Sequence, residues 1–186
     1  MRVGSIDTQY CIIKEVLMKA ILVIDGGGAK GIIPVTVLKK MESKLDKPLH
    51  EVFELVVTTS VGSIIGGVLC SGKMDMNKLQ RLMLESLPVV FEKRIRIPFI
   101  QPKYTRKPLV KILEDHIGKE TQMKDCKTKF MCTSVNMVDG RTHFFKSWEE
   151  KDGQLNLIDA ISRSYAAPLF FGKIGNYSAT IYRKYF

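Results

Sequence analysis

The chain has 186 residues, 45% of them hydrophobic, which is enough apolar surface for one substantial core and excludes a disordered chain. No apolar run approaches the ~18 residues that a membrane-spanning helix requires, and the N-terminus lacks the charged-then-apolar layout of a secretion signal, so a soluble cytoplasmic protein with peripheral contact to membranes is expected. Lys and Arg number 29 against 19 Asp and Glu, and this formal net charge of +10 points to an anionic membrane surface rather than to nucleic acid, for which no recognition motif is present.

Met18-Lys19-Ala20 makes a natural start, which leaves residues 1–17 as an N-terminal extension of uncertain origin. Ile21-Leu22-Val23-Ile24 then reads as a buried strand running into the glycine-rich turn Asp25-Gly26-Gly27-Gly28-Ala29-Lys30-Gly31. Glycines bring bare backbone N–H groups close to whatever sits above a strand. The helix predicted over Ile32 to Glu42, with Pro34 in its first turn, adds the partial positive charge of its N-terminus, so the loop is suited to hold an anion.

The same strand-turn-helix design repeats with a hydroxyl in the turn. Val52 to Val57 is the predicted strand, Thr58-Thr59-Ser60-Val61-Gly62 the turn, and Ser63 to Leu69 the start of a helix rich in small residues. In a nucleophile elbow, G-x-S-x-G, a sharp turn exposes the serine hydroxyl while small neighbours let strand and helix approach closely. Here Thr58 stands in place of the leading glycine.

Further along, Asp75 caps a predicted helix through Leu87, and Lys107 to Ile117 carries apolar side chains at helical spacing. Between them Lys93, Arg94, Arg96, Lys103, Arg106, Lys107 and Lys111 interleave with apolar and aromatic residues, a mixture suited to the headgroup region of an anionic bilayer and equally to a solvated loop. Phe130 to Val135 and Thr142 to Phe145 form a predicted hairpin around Asp139-Gly140, and Asn156 to Ser164 a last helix before Ala166-Ala167-Pro168. Cys11, Cys70, Cys126 and Cys132 form no C-x-x-C pair and have no histidine at zinc spacing, so reduced structural thiols are expected.

The order Asp-Gly-Gly-Gly-x-Lys-Gly, Pro34, a serine elbow before a Gly-rich helix, and Ser164-Tyr165-Ala166-Ala167-Pro168-Leu169-Phe170-Phe171 resembles the patatin-like phospholipase family. The resemblance spans about Lys19 to Lys173. It implies a single three-layer α/β domain with a mainly parallel central sheet and helices on both faces, occupying residues 18–173; residues 174–186 read as an atypical tail, in which the aromatic and basic stretch Tyr177 to Phe186 is either a packed strand or non-native. It also implies a serine-aspartate dyad acting on phospholipid or another acyl lipid, without metal or cofactor. Ser60 would be the nucleophile, and the amides of Gly26, Gly27 and Gly28 would line the oxyanion hole. Asp25, Lys30 and Gly31 would support that loop, and Thr58 and Gly62 would flank the elbow.

The family draws its dyad aspartate from an Asp-Gly-Gly or Asp-Gly-Ala turn after the Ala-Ala-Pro segment, and no carboxylate side chain follows Pro168 in this chain. The Asp-Gly pairs at Asp139 and Asp152 precede the segment and read as ordinary turns. The expectation is therefore a patatin-like domain, incomplete in its catalytic machinery, whose turnover is low or absent. The main alternative is a non-catalytic membrane-binding module. A Ser60–His143 triad and an ATP-dependent sugar kinase-like phosphate loop are further alternatives; against the second, Ala29-Lys30 stands where such kinases place threonine.

Overall fold

The computed structural model describes residues 19–90, 103–167, 170–172 and 174–179. The expectations for residues 1–17, for Lys93, Arg94 and Arg96, and for Pro168 lie outside the described residues.

Five strands form one mixed sheet with the order β1-β2-β3-β4, β5 adding to β3. β1 (Ile21–Ile24), β2 (Leu55–Thr59) and β3 (Lys129–Asn136) are parallel. β4 (Thr142–Lys146) returns from β3 as the expected hairpin, with Asp139 in its turn, and β5 (Tyr177–Ser178) pairs antiparallel with Val135 and Asn136. The helices are α1 (Ile32–Leu45), α2 (Val61–Ser71), α3 (Met76–Val90), α4 (Lys107–Ile117), a single turn α5 (Glu150–Gly153) and α6 (Leu157–Tyr165). This is the expected α/β class, a mainly parallel sheet with helices.

Local chemistry sets the element limits. Asp75 Oδ1 accepts from the Lys78 amide at 2.6 Å and caps α3, while Asn156 Oδ1 accepts from the amides of Ile158 and Asp159 and caps α6. The strand expected from Val52 starts only at Leu55, because the amides of Val52 and Phe53 turn back to the Leu49 carbonyl.

Helices α2 and α6 pack on the sheet face that carries Ile24, Val56, Thr58, Phe130, Cys132 and Phe145, all buried. Close approach is possible because α2 turns glycines toward its neighbours: a Cβ on Gly66 would lie 2.5 Å from Thr58 Cγ2, and one on Gly67 2.4 Å from Ile161 Cδ1. β1 departs from expectation. It is an edge strand rather than a buried one, with Ile24 buried but Ile21 58% and Val23 65% exposed. Phe144 is exposed on that same second face, where strand alternation places it with Val23.

Cys70, Cys126 and Cys132 are free thiols. Burial pushes all three up, Cys126 to about 12, so they are neutral packing groups. Among the described residues no helix is long and apolar enough to cross a membrane.

Candidate active site

Parallel pairing of β1 with β2 places their C-terminal ends side by side, with Ile24 opposite Thr58, so the two turns that follow lie together at one edge of the sheet. In α/β sheets this end collects ligands. Gly26 sits against Ser60, since a Cβ there would lie 3.0 Å from Ser60 Cβ.

Ser60 has φ 53° and ψ −125° and is one of two non-glycine residues with positive φ among those described. Such a conformation costs about 1–3 kcal/mol and persists only where the surroundings hold it. Three bonds do so. The Ser63 amide donates to the Ser60 carbonyl at 2.8 Å, the Ser60 amide donates to Ser164 Oγ at 3.0 Å, and Ser164 Oγ lies 2.7 Å from Ser63 Oγ. Gly62 is required by contact: a Cβ there would fall 2.3 Å from the Ile24 carbonyl oxygen. The start of α2 thereby rests directly on the end of β1.

Thr58, the departure from G-x-S-x-G, is accommodated rather than disruptive. It lies in a regular strand, its methyl fills the space left by Gly66, and its hydroxyl is 3.1 Å from both Ser63 Oγ and the Met131 carbonyl.

The glycine loop has the opposite character. Gly26, Gly27 and Gly28 are exposed, and among the described residues their amides donate no turn or side-chain hydrogen bond. A 3-10 turn over Gly28–Gly31 leads into α1, held by the Lys30 amide on the Gly27 carbonyl at 3.1 Å. Gly31 is buried against Val61, where a Cβ would come within 2.7 Å of Cγ2. Lys30 and Asp25 are exposed, and neither side chain bonds to the loop among the described residues. The loop's shape therefore comes from the backbone and Gly31, not from the Asp25 carboxylate.

Beside Ser60 opens a cavity of about 330 Å³, lined by Gly28 and Ser60 and walled by Ile64, Met83, Leu109, Tyr165, Phe170 and Phe171 among others. Its walls come from α2, α3, α4 and the turn after α6. Both turns are legible in the sequence, whereas the cavity is not, because its walls lie far apart along the chain. The aromatic pair in Ala166-Ala167-Pro168-Leu169-Phe170-Phe171 was the available signal. At the rim Tyr104 stacks near Phe170, and Lys103 Nζ lies 5.3 Å and 5.7 Å from their ring centroids.

Among the described residues that line this cavity there is no carboxylate or imidazole. Asp139 Oδ1 accepts from the Arg141 amide in the hairpin turn, and Asp152 Oδ2 accepts from the Lys146 amide. His143, on β4, pairs with Ser134 of β3, so β3 separates it from β2, the strand that leads into Ser60. Its ring packs on Phe145 and Tyr177, and its Nε2 is 3.7 Å from Asp152 Oδ1. The structure does not bring His143 into the Ser60 cavity.

The sequence matches the family model described as patatin-like phospholipase over residues 22–184. It is 30% identical over 167 residues to a cGAMP-activated phospholipase of Escherichia coli (strain TW11681), covering 81% of this chain and 47% of that protein. It is 29% identical over 187 residues to patatin group D-3 of Solanum tuberosum, covering 92% of this chain and 47% of that protein. The chain thus spans about half the length of the curated relatives it matches. Two solved structures share the fold: VipD from Legionella pneumophila, with TM-score 0.54 at 13% identity over 82% of this chain and 43% of that one, and the type III effector protein ExoU, with TM-score 0.50 at 18% identity over 83% and 40%. The chain belongs to the patatin-like phospholipase family.

Proposed function

We propose that the chain carries the nucleophile, the oxyanion loop and the acyl-binding cavity of a lipid acyl hydrolase. The observation that carries this reading is the juxtaposition of a strained, half-buried serine that lines an apolar cavity with a glycine loop whose amides donate no turn or side-chain hydrogen bond among the described residues. A lipid ester would lay its acyl chain along the cavity and its carbonyl between Ser60 and the loop. Ser60 Oγ would attack the carbonyl carbon, and the amides of Gly26, Gly27 and Gly28 would stabilise the oxyanion, each such donor being worth about 3–4 kcal/mol in the transition state. Collapse would expel the lyso-lipid or alcohol and leave an acyl-serine for water to cleave.

Since no proton acceptor lines the cavity among the described residues, turnover by this chain is expected to be slow, and Ser60 is a weak nucleophile without a base. That same observation favours a second reading, in which the cavity holds an acyl chain without cleaving it. Hydrolysis of a p-nitrophenyl acyl ester by the parent chain and by Ser60→Ala separates the two. Turnover that vanishes in Ser60→Ala supports the hydrolase; equal binding of a fluorescent fatty acid by both proteins, with no turnover in either, supports the binding module.

The surface that meets lipid would be the cavity rim, where Lys103 sits above Tyr104 and Phe170; Lys93, Arg94 and Arg96, which precede it in sequence and lie outside the described residues, would add basic charge to the same binding. Each basic side chain near an anionic surface contributes about 1 kcal/mol, screened within a Debye length of roughly 8–10 Å. Sedimentation with anionic vesicles should weaken as salt rises and in the triple Lys93, Arg94 and Arg96 to Gln variant; binding that ignores both would remove the membrane from this reading.

A further inference from the structure

Ser164, which bonds to the Ser60 turn, belongs to neither of the two sequence motifs that build the site. It is fully buried in the last turn of α6, 104 residues from Ser60 in sequence, and its Oγ accepts the Ser60 amide at 3.0 Å. Around it lies a closed set of hydroxyls. Ser164 Oγ is 2.7 Å from Ser63 Oγ, Ser63 Oγ is 3.1 Å from Thr58 Oγ1, and Thr58 Oγ1 is 3.1 Å from the Met131 carbonyl. Ser63 and Ser164 are fully buried and Thr58 is 2% exposed.

The donors and acceptors link into one set. The Ser60 amide donates to Ser164 Oγ, either hydroxyl of the Ser164–Ser63 pair can supply its proton, and Thr58 Oγ1 donates toward Ser63 Oγ and the Met131 carbonyl. The set therefore ties the strained turn to the backbone of β3, the central strand beside β2. Ser60 Oγ is not a member, so the network moves no proton in the reaction.

From this geometry we infer that Ser164 is a positioning residue that holds the Ser60 turn in its reactive conformation. The inference rests on the reading of Ser60 as the nucleophile. Two features make Ser164 more than another buried hydroxyl. Its partner is the amide of the very residue whose φ and ψ are unfavourable, so losing the acceptor leaves a buried-side donor unsatisfied and lets the turn relax. Its neighbours Tyr165 and Ala167 line the acyl cavity, so the same turn of chain fixes both the serine and the wall beside it. Displacement of a reacting atom by a small distance is costly to rate while leaving ligand binding intact.

The test is the kinetics of covalent modification by a long-chain alkyl fluorophosphonate, which reports binding as KI and attack by Ser60 as kinact. Ser164→Ala should lower kinact about tenfold, the size of one lost neutral hydrogen bond, with KI within about twofold of the parent. Ser164→Cys keeps the volume but offers a weak acceptor and should fall in the same direction, which serves if the alanine variant does not fold. Ser63→Ala should act less strongly, and the Ser63→Ala/Ser164→Ala double variant should be no slower than Ser164→Ala alone, since both act through one chain of bonds. Ser71→Ala, a buried serine bonded to the Val68 carbonyl at the far end of α2, is the control for hydroxyl loss and should leave kinact unchanged. If the parent is labelled on Ser60 and the folded Ser164 variants keep its kinact, the inference is overturned and the reading of Ser60 stands. If the parent is not labelled on Ser60 at all, that reading falls and the inference with it.

Discussion

The two turns that meet at the sheet edge are built in opposite ways. The Ser60 turn is held from inside, with its backbone strained, its amide and carbonyl both bonded, and its neighbour Gly62 packed on the Ile24 carbonyl. The Gly26–Gly28 loop lies outside, exposed, and its amides donate no turn or side-chain hydrogen bond among the described residues. A reaction that develops negative charge needs both kinds of turn. The attacking atom must be fixed before substrate arrives, and the stabilising donors must be free to receive it.

Substitutions that probe each turn should therefore separate stability from reactivity. The largest effect is expected from Gly62→Ala, whose Cβ would strike a backbone carbonyl that cannot turn aside. It should cost about 3 kcal/mol or more, read as a lower urea midpoint or failure to fold. A stable Gly62→Ala protein would mean that α2 does not rest on β1 as described.

Next in size is Gly26→Ala, which would crowd Ser60 Cβ at 3.0 Å without touching the core. Labelling of Ser60 by a fluorophosphonate should slow about tenfold while the thermal midpoint moves little, because misplacing a reacting atom costs rate more than stability. Equal losses of rate and stability would erase the distinction between the two turns.

Gly28→Ala should do least. Its Cβ meets nothing within 4 Å, so the penalty comes only from φ +56°, about 1 kcal/mol for a side chain in the left-handed region. Thermal unfolding should register it, and the labelling rate should stay near that of the parent. The thiols supply a check on the core behind both turns. Cys70, Cys126 and Cys132 should resist iodoacetamide at neutral pH until the protein unfolds, since burial keeps them protonated.

Much of this comparison was legible in the sequence. Glycines after Ile21–Ile24 and a serine between Thr58 and Gly62 carry their conformational demands locally, so both turns and their helices could be read from a few residues each. The strand at Ile21–Ile24 was read as buried because four apolar residues in a row carry no sign of which neighbours they will have; position at the sheet edge is decided by pairing with β2 alone. That a threonine at position 58 can replace the leading glycine is not legible in the sequence, because it depends on Gly66 across the strand-helix contact. Ser164 was visible only as part of a family-like segment. Its hydroxyl gains meaning from a partner 104 residues away, a distance that periodicity and motif spacing do not span.

The central claim is that Ser60 is the reactive group of a lipid-binding cavity, and covalent labelling tests it most directly. The parent chain and Ser60→Ala should be treated with a series of alkyl fluorophosphonates of increasing chain length and examined by intact-mass and peptide mass spectrometry. One adduct on Ser60 is expected, with faster formation by longer alkyl chains that fill the apolar cavity, and no adduct in Ser60→Ala. An adduct elsewhere, or none on Ser60 with any member of the series, would contradict it.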